Sequence, residues 1–352
     1  MTKLLDAPSL MSECYAPPRL LLQWHITERC NLRCTHCYQD NYARDELSFD
    51  DLLKILKQFK DLLKTCRQRR GKRLRAHITV TGGEPFVRHD FIDLLEVFAA
   101  HRSMFSFAIL TNGVFINAEI AQRLRKLAPR FVQVSIEGTA ATHDNIRGKG
   151  NFAQTIAAIK QLRREKICTM ISFTAHRKNF NEFTEVAKLG RRLRVNRVWA
   201  DRLIPCGSGA GEQIMTPAET EAFFKIMAKT KRAWFNRTEI SMRRALQFLV
   251  GGGRPYHCTA GDSLLTVQSN GDLYPCRRMP IRIGNLLETP LLELYDNSTL
   301  LHKLRQPEQI SEGCEACFYA KLCRGGLKCL SYAVTGDPFK ADPGCWLTKL
   351  KH

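Results

Sequence analysis

From residue 20 to about residue 215 short β-branched or apolar runs alternate with longer stretches of helical period, the pattern of parallel βα units. Six strands are expected at 20–27, 76–81, 105–111, 131–136, 168–175 and 197–201. Helices are expected near 48–69, 90–100, 117–127, 152–165, 182–192 and 217–234. Six units fall two short of a closed eight-stranded barrel, and in such sheets the chemistry gathers at the C-terminal ends of the strands. The pattern then changes. A short helix is expected over 239–250, ending at Gly251-Gly252-Gly253, and the remainder to His352 holds seven cysteines, frequent Gly and Pro and little periodicity. Too few apolar runs remain there for a core of its own, which points to metal cross-links. The expected organisation is a tail over 1–19, an α/β partial (β/α)6 TIM-like barrel over 20–215, bridging helices over 216–257 and an irregular cysteine-rich domain over 258–352.

The chain has 352 residues, 44% of them hydrophobic and 25% charged, a globular composition. No run of eighteen apolar residues and no secretory signal is visible, so a cytoplasmic location with no membrane partner is expected. The net charge of +20 favours an acidic partner without naming one. Ten Lys or Arg between Lys54 and Arg75 face only Asp61, and Leu53, Leu56, Phe59 and Leu63 between them mark the solvated face of an amphipathic helix. Without a recognisable motif or stacking aromatics this patch does not indicate a nucleic acid partner.

Fourteen cysteines without secretion point to metal ligands or reactive thiols. Directly after the first strand Cys30, Cys34 and Cys37 form Cys-x3-Cys-x2-Cys. Three thiolates at this spacing can hold three irons of a [4Fe-4S] cube and leave the fourth iron open to a ligand. The alternatives are a zinc site completed by His25 or His36, or inert thiols.

This motif and its position resemble the radical S-adenosylmethionine (SAM) superfamily. The resemblance implies that the three cysteines ligate a cluster whose unique iron is chelated by SAM, and that reduction of the cluster cleaves SAM to a 5′-deoxyadenosyl radical. His36 stands where the family often has an aromatic residue. Gly82-Gly83-Glu84-Pro85 after the second strand resembles the segment that binds the methionine amine, with glycines that let the backbone approach a ligand and Glu84 as acceptor. Asn112 after the third strand, and Ser135 and Glu137 at the end of the fourth, resemble positions near SAM. The two latter are candidate ribose or carboxylate contacts, or else helix caps. His143 and Arg147 fit a loop in which an Arg could bind an anionic group.

The C-terminal cysteines resemble the SPASM extension. That resemblance implies one auxiliary [4Fe-4S] cluster on Cys314, Cys317, Cys323 and Cys345, and another on Cys258, Cys276 and Cys329, making three with the SAM cluster. Five residues separate Cys323 from Cys329 where the pattern usually has three, which loosens Cys329. The second set is one thiolate short: either an iron is open to substrate or water, or Cys206 or another cysteine completes it. Cys206 and Arg277 are the candidates for a direct role in catalysis. Cys66 and Cys168 are expected to pack as small hydrophobes, and Cys14 is unassigned.

Sulfatase-maturing relatives carry an Asp after the second SPASM cysteine where this chain has Arg277-Arg278, which argues against that activity. The favoured expectation is modification of a ribosomally made peptide, by a thioether, a carbon-carbon link or a related rearrangement. Only about nineteen residues precede the first strand, so a leader would need another site or a separate leader-binding protein. The alternative is oxidative decarboxylation of an acidic tetrapyrrole in haem biosynthesis. Either needs a low-potential electron donor such as ferredoxin or flavodoxin. A non-catalytic iron-sulfur or nucleic acid-binding protein is the remote third reading.

Overall fold

The computed structural model describes residues 15–39, 41–43, 45–231 and 237–348. The tail to residue 14, with Cys14, and the expected helix end at Trp234 lie outside them.

The six expected strands form, as β1 (Arg19–His25), β2 (Arg75–Thr81), β3 (Ser106–Thr111), β4 (Val132–Ser135), β5 (Thr169–Ala175) and β6 (Arg197–Arg202), each parallel to the next. The crossovers carry α1 (Phe49–Arg70), α2 (Phe91–Ala100), α3 (Ala118–Leu127), the pair α4 (Ala140–Arg147) and α5 (Asn151–Arg164), and α6 (Phe183–Arg192). Helix α7 (Pro217–Lys231) follows β6. Helix α1 shows how the sequence works locally. Ser48 caps it by accepting from Asp51 N, Asp50 and Asp51 fill the first turn, and Gly71 closes it in the left-handed region at φ 59°. Leu52, Ile55, Leu56, Phe59, Leu62, Leu63 and Cys66 face inward, leaving the lysines outside, as a solvated basic face requires.

The segment expected as a helix over 239–250 is instead β7 (Glu239–Ser241), parallel to β6, followed by the short α8 (Phe248–Gly251). Pairing with β6 supplies backbone bonds that outweigh the local helical pattern, and Leu246 at φ 66° interrupts any continuous helix.

The C-terminal region joins the same sheet. Strand β8 (Leu264–Val267) lies parallel to β1, and β9 (Asp272–Tyr274) and β10 (Gly284–Asn285) extend it antiparallel. The order is β10-β9-β8-β1-β2-β3-β4-β5-β6-β7, an incompletely closed parallel barrel with an antiparallel edge. Helices α9 (Leu291–Asn297), α10 (Thr299–Arg305), α11 (Ala320–Cys323) and α12 (Lys328–Thr335) complete the chain. Leu265, Val267, Leu273, Leu291, Tyr295 and Leu301 are buried in one core with the barrel. The region, expected to lack a core of its own, packs these residues into the barrel's core.

Candidate active site

The loop after β1 lies against the loop after β2. Gly83 N donates to Thr27 O at 2.8 Å and Glu84 N to Arg29 O at 2.9 Å, so the parallel pairing runs on beyond the strands. A Cβ on Gly82 would sit 2.3 Å from Thr27 O, and one on Gly83 2.3 Å from Arg29 O. These glycines make room for the cysteine loop's own backbone, a different reason from the close approach to a ligand that the sequence suggested. Buried Pro85 opens a 3-10 turn behind them.

The three thiols sit together on that loop. Cys30 Sγ accepts from Leu32 N at 3.4 Å and faces Asn112 Nδ2 at 3.9 Å, while Cys34 Sγ faces Arg147 Nη1 at 3.8 Å. Burial pushes the Cys30 thiol up to about 11, helped by the charges of Glu84, Cys34 and Cys37. Such thiols become thiolates only when a metal takes the proton's place. Among the described residues no three His, Cys, Asp or Glu side chains converge closely enough to hold one metal ion. The proposed fourth zinc ligands point elsewhere: His36 Nε2 lies 3.2 Å from Glu137 Oε1, and His25 packs edge-on to Tyr38.

Glu84 is fully buried. Its carboxylate accepts from Asn112 N (2.7 Å), Phe86 N (3.2 Å) and Thr111 Oγ1 (2.8 and 2.9 Å). Burial outweighs these bonds and pushes it up to about 7, so a cationic amine beside it would bring it back down.

Glu137 and Arg147 are occupied with each other. Arg147 donates from Nε (3.1 Å) and Nη2 (2.6 Å) to Glu137 Oε1, and Thr174 N donates to Oε2 at 2.9 Å. Burial would raise the Glu137 carboxyl, but His36 and Arg147 hold it well below the usual carboxylate range. Arg147 is therefore a brace between β4 and Cys34 rather than a vacant anion site. Glu137 N donates to His143 Nδ1 and His143 Nε2 meets Asn151 Oδ1 at 2.9 Å, which fixes a neutral tautomer. Half-buried Ser135 accepts from Ser172 Oγ at 3.4 Å.

The C-terminal cysteines separate into two groups. Cys314, Cys317, Cys323 and Cys345 line one pocket together with Leu246, Phe248 and Leu347. Its four thiols and dry walls fit a cube. Cys258, Cys276 and Cys329 form the other group, where burial pushes the Cys329 thiol up and the Cys276 and Cys258 charges add to it. The longer spacer before Cys329 forms a left-handed turn, with Arg324, Gly325 and Gly326 at φ 53°, 83° and 77°. It sends Cys329 into α12, away from the cavity that holds Cys323.

Cys206 stands between the two regions. The turn Gly207–Gly211 behind it lies on the cysteine loop, with Gly209 N donating to Cys37 O (2.9 Å) and Ser208 Oγ to Gln39 O (3.0 Å). Burial raises its thiol, which feels Arg277, Arg278, Cys37 and Cys276. Arg277 Nη2 lies 3.7 Å from Glu28 Oε2, with its guanidinium 5.1 Å from the Tyr38 ring. Cys66 is buried and Cys168 half-buried. The sequence reading passed over His176, buried directly after β5 with its ring 6.3 Å from that of His36. The strand-end rule could have singled it out.

Residues 24–190 match the radical SAM superfamily, and residues 258–318 an iron-sulfur cluster-binding domain, SPASM. The mycofactocin maturase of Mycobacterium ulcerans is 31% identical, over 93% of this chain and 87% of that protein. The chain belongs to the radical SAM superfamily. It is an enzyme of that superfamily with a SPASM domain and iron-sulfur clusters. The AdoMet-dependent heme synthase of Methanosarcina barkeri is 29% identical, over 93% of this chain and 96% of that protein. The fold also resembles the crystal structure of Streptococcus suis SuiB bound to S-adenosylmethionine, with a TM-score of 0.75 and 17% identity, over 93% of this chain and 77% of SuiB. No helix among the described residues is long and apolar enough to cross a membrane.

Proposed function

We propose that this radical SAM enzyme modifies a peptide. The observation that carries the reading is the charge balance at the C-terminal strand ends. Arg147 is paired with Glu137, Arg202 with Asp342, Arg277 with Glu28, Arg278 with Asp201, Arg177 with Glu219 and Lys178 with Glu212. A tetrapyrrole carrying several carboxylates needs cations that are not already neutralised, because a buried anion without a partner is costly. A peptide needs a neutral surface with hydrogen-bonding groups. The +20 net charge is spread over the chain, with α1 contributing seven Lys or Arg against three Asp. The mycofactocin maturase relative accords with this reading, and the heme synthase relative makes the tetrapyrrole the competing outcome.

In this reading Cys30, Cys34 and Cys37 hold the SAM cluster, and Glu84 and Asn112 orient SAM. Cys314, Cys317, Cys323 and Cys345 hold one auxiliary cluster. Cys258, Cys276 and Cys329 hold another, whose remaining iron is open or bound by Cys206. The bound SAM and its cluster supply the 5′-deoxyadenosyl radical. The protein's own residues orient the reactants and exclude water. A low-potential ferredoxin or flavodoxin delivers the electron, and a separate leader-binding protein can present the peptide. The barrel extends over 20–215, the bridge over 216–257 and the SPASM domain over 258–352.

The test is competition between substrates. Anaerobic holoenzyme with SAM and dithionite is given either short peptides encoded beside the gene or a porphyrin carboxylate. A mass change in a peptide, with 5′-deoxyadenosine formed in proportion, supports the reading. Loss of carbon dioxide from the porphyrin with the peptides unchanged overturns it.

A further inference from the structure

The thiols of the cysteine loop have unlike neighbours. Cys30 Sγ accepts from Leu32 N at 3.4 Å and faces the neutral amide of Asn112 at 3.9 Å, whereas Cys34 Sγ faces a cation, with Arg147 Nη1 3.8 Å away. That guanidinium is held in place. Its Nε and Nη2 donate to Glu137 Oε1 at 3.1 and 2.6 Å, and the backbone next to it is tied to the loop, where Thr35 N donates to Ile146 O at 3.0 Å. The same Glu137 oxygen lies 3.2 Å from Nε2 of His36, the residue before Cys37, and Thr174 N donates to the other oxygen at 2.9 Å. One carboxylate at the end of β4 thus reaches the loop at two points, at Cys34 through Arg147 and beside Cys37 through His36.

Reduction of an iron-sulfur cluster adds one negative charge, so a fixed cation beside a sulfur ligand stabilises the reduced form more than the oxidised one. The Arg147 side chain is only 11% exposed, and salt screens a charge so placed weakly. Glu137 opposes the effect but stands behind the guanidinium. Burial pushes the Cys34 thiol up, and among the charges around it Arg147, which pulls it down, outweighs Glu137, which pushes it up. The pocket of the C-terminal cysteines has the opposite setting. Burial pushes Cys314 up to about 11 and Cys323 up to about 12, and the charges that add to the rise are those of the neighbouring thiols, Asp342 and, at Cys314, Glu315.

We infer that Arg147 is a positioning residue that raises the reduction potential of the SAM cluster through its charge at Cys34, while Glu137 holds the guanidinium there and limits the rise. This rests on the assignment of Cys30, Cys34 and Cys37 to that cluster, and it holds whether the substrate is a peptide or a tetrapyrrole. The ion pair at the mouth of the barrel then has a function besides bracing the loop. It brings the cluster closer to the reach of a ferredoxin or flavodoxin donor.

The test is a redox titration of the anaerobic holoenzyme followed by electron paramagnetic resonance, in which the SAM cluster is the one whose reduced signal changes when SAM is added. At the potential where half of that cluster is reduced in the unsubstituted enzyme, Arg147→Gln is expected to lower its reduced-to-oxidised ratio about tenfold, while the signals that ignore SAM titrate as before. Arg147→Lys keeps the charge and is expected to stay within about threefold of the unsubstituted ratio. Glu137→Gln removes the opposing charge and is expected to raise the ratio. Shifts of opposite sign from the two halves of one ion pair are not the result of losing a brace, which would lower the iron content in both variants alike. An unchanged ratio in Arg147→Gln, a fall in Glu137→Gln, or one shift shared by every cluster overturns the inference. If Arg147→Gln does not retain the SAM cluster, the sign of the shift in Glu137→Gln decides. Absence of any SAM-responsive signal in the unsubstituted holoenzyme is a separate failure, which removes the cluster assignment and the tuning with it.

Discussion

Arg202 and Asp342 form a buried two-pronged ion pair that fastens the C-terminal segment to the end of β6, with Nη1 to Oδ1 at 2.8 Å and Nη2 to Oδ2 at 2.6 Å. The same carboxylate accepts from Leu327 N and Gly344 N, both at 2.9 Å, and so organises the loops carrying Cys323, Cys329 and Cys345. Burial would lower the Arg202 pKa, and the Asp342 carboxylate more than reverses this. Asp342→Ala leaves the guanidinium buried without its anion, which costs about 3–5 kcal/mol. Denaturant unfolding should show that loss, and iron analysis should show fewer irons per chain, with the SAM-binding loop retained.

Gly83→Ala tests the backbone contact between the two loops. The added methyl meets Arg29 O at 2.3 Å, and one of the two loops must move. A loss of about 1–3 kcal/mol is expected from such overpacking. SAM affinity, measured by equilibrium dialysis, should fall with it, whereas Gly71→Ala, at a position open to solvent, should leave SAM affinity unchanged.

Glu84→Gln keeps the shape of the side chain but replaces one acceptor oxygen with a donor and removes the charge. Asn112 N, Phe86 N and Thr111 Oγ1 then compete for a single oxygen. SAM affinity is expected to fall about tenfold or more, the scale of a charge-assisted bond to its amine, at unchanged iron content.

His77 gives a pH signature away from the site. Burial, then the charge of Arg130, lowers its pKa from 6.5 to about 4. Between these values the unfolded chain binds a proton that the folded chain refuses. The stability it contributes is therefore complete above pH 6.5 and is lost as pH falls towards 4. In His77→Gln the proton uptake on unfolding across this window should drop by up to about one, measured by denaturant titrations of the apoprotein at several pH values.

These residues also show what the sequence could and could not disclose. The six barrel strands and the cysteine loop were legible because five of the strands run six or seven residues, the four-residue β4 falls in the same repeating order of strand and helix, and cysteine spacing is chemistry written locally. Strands β7 to β10 were not, since two to four residues are too few to reveal an alternation and their pairing comes from distant β6, β1 and each other. Helix α4 is short and is followed by Gly148 and Gly150, which read as a loop. Arg147 was recognised as a site residue, but its partner Glu137 and its role as a brace depend on where the chain returns after β4. Arg202 and Asp342, 140 positions apart, carry no sequence signal that joins them.

The central claim is that a SAM cluster on Cys30, Cys34 and Cys37 is separate from the clusters of the C-terminal region. The most direct measurement is iron content together with 5′-deoxyadenosine formation in the triple variant Cys30→Ala, Cys34→Ala, Cys37→Ala. About eight irons per chain with no 5′-deoxyadenosine is the expected result. Loss of nearly all iron, or SAM cleavage that persists, would contradict the account.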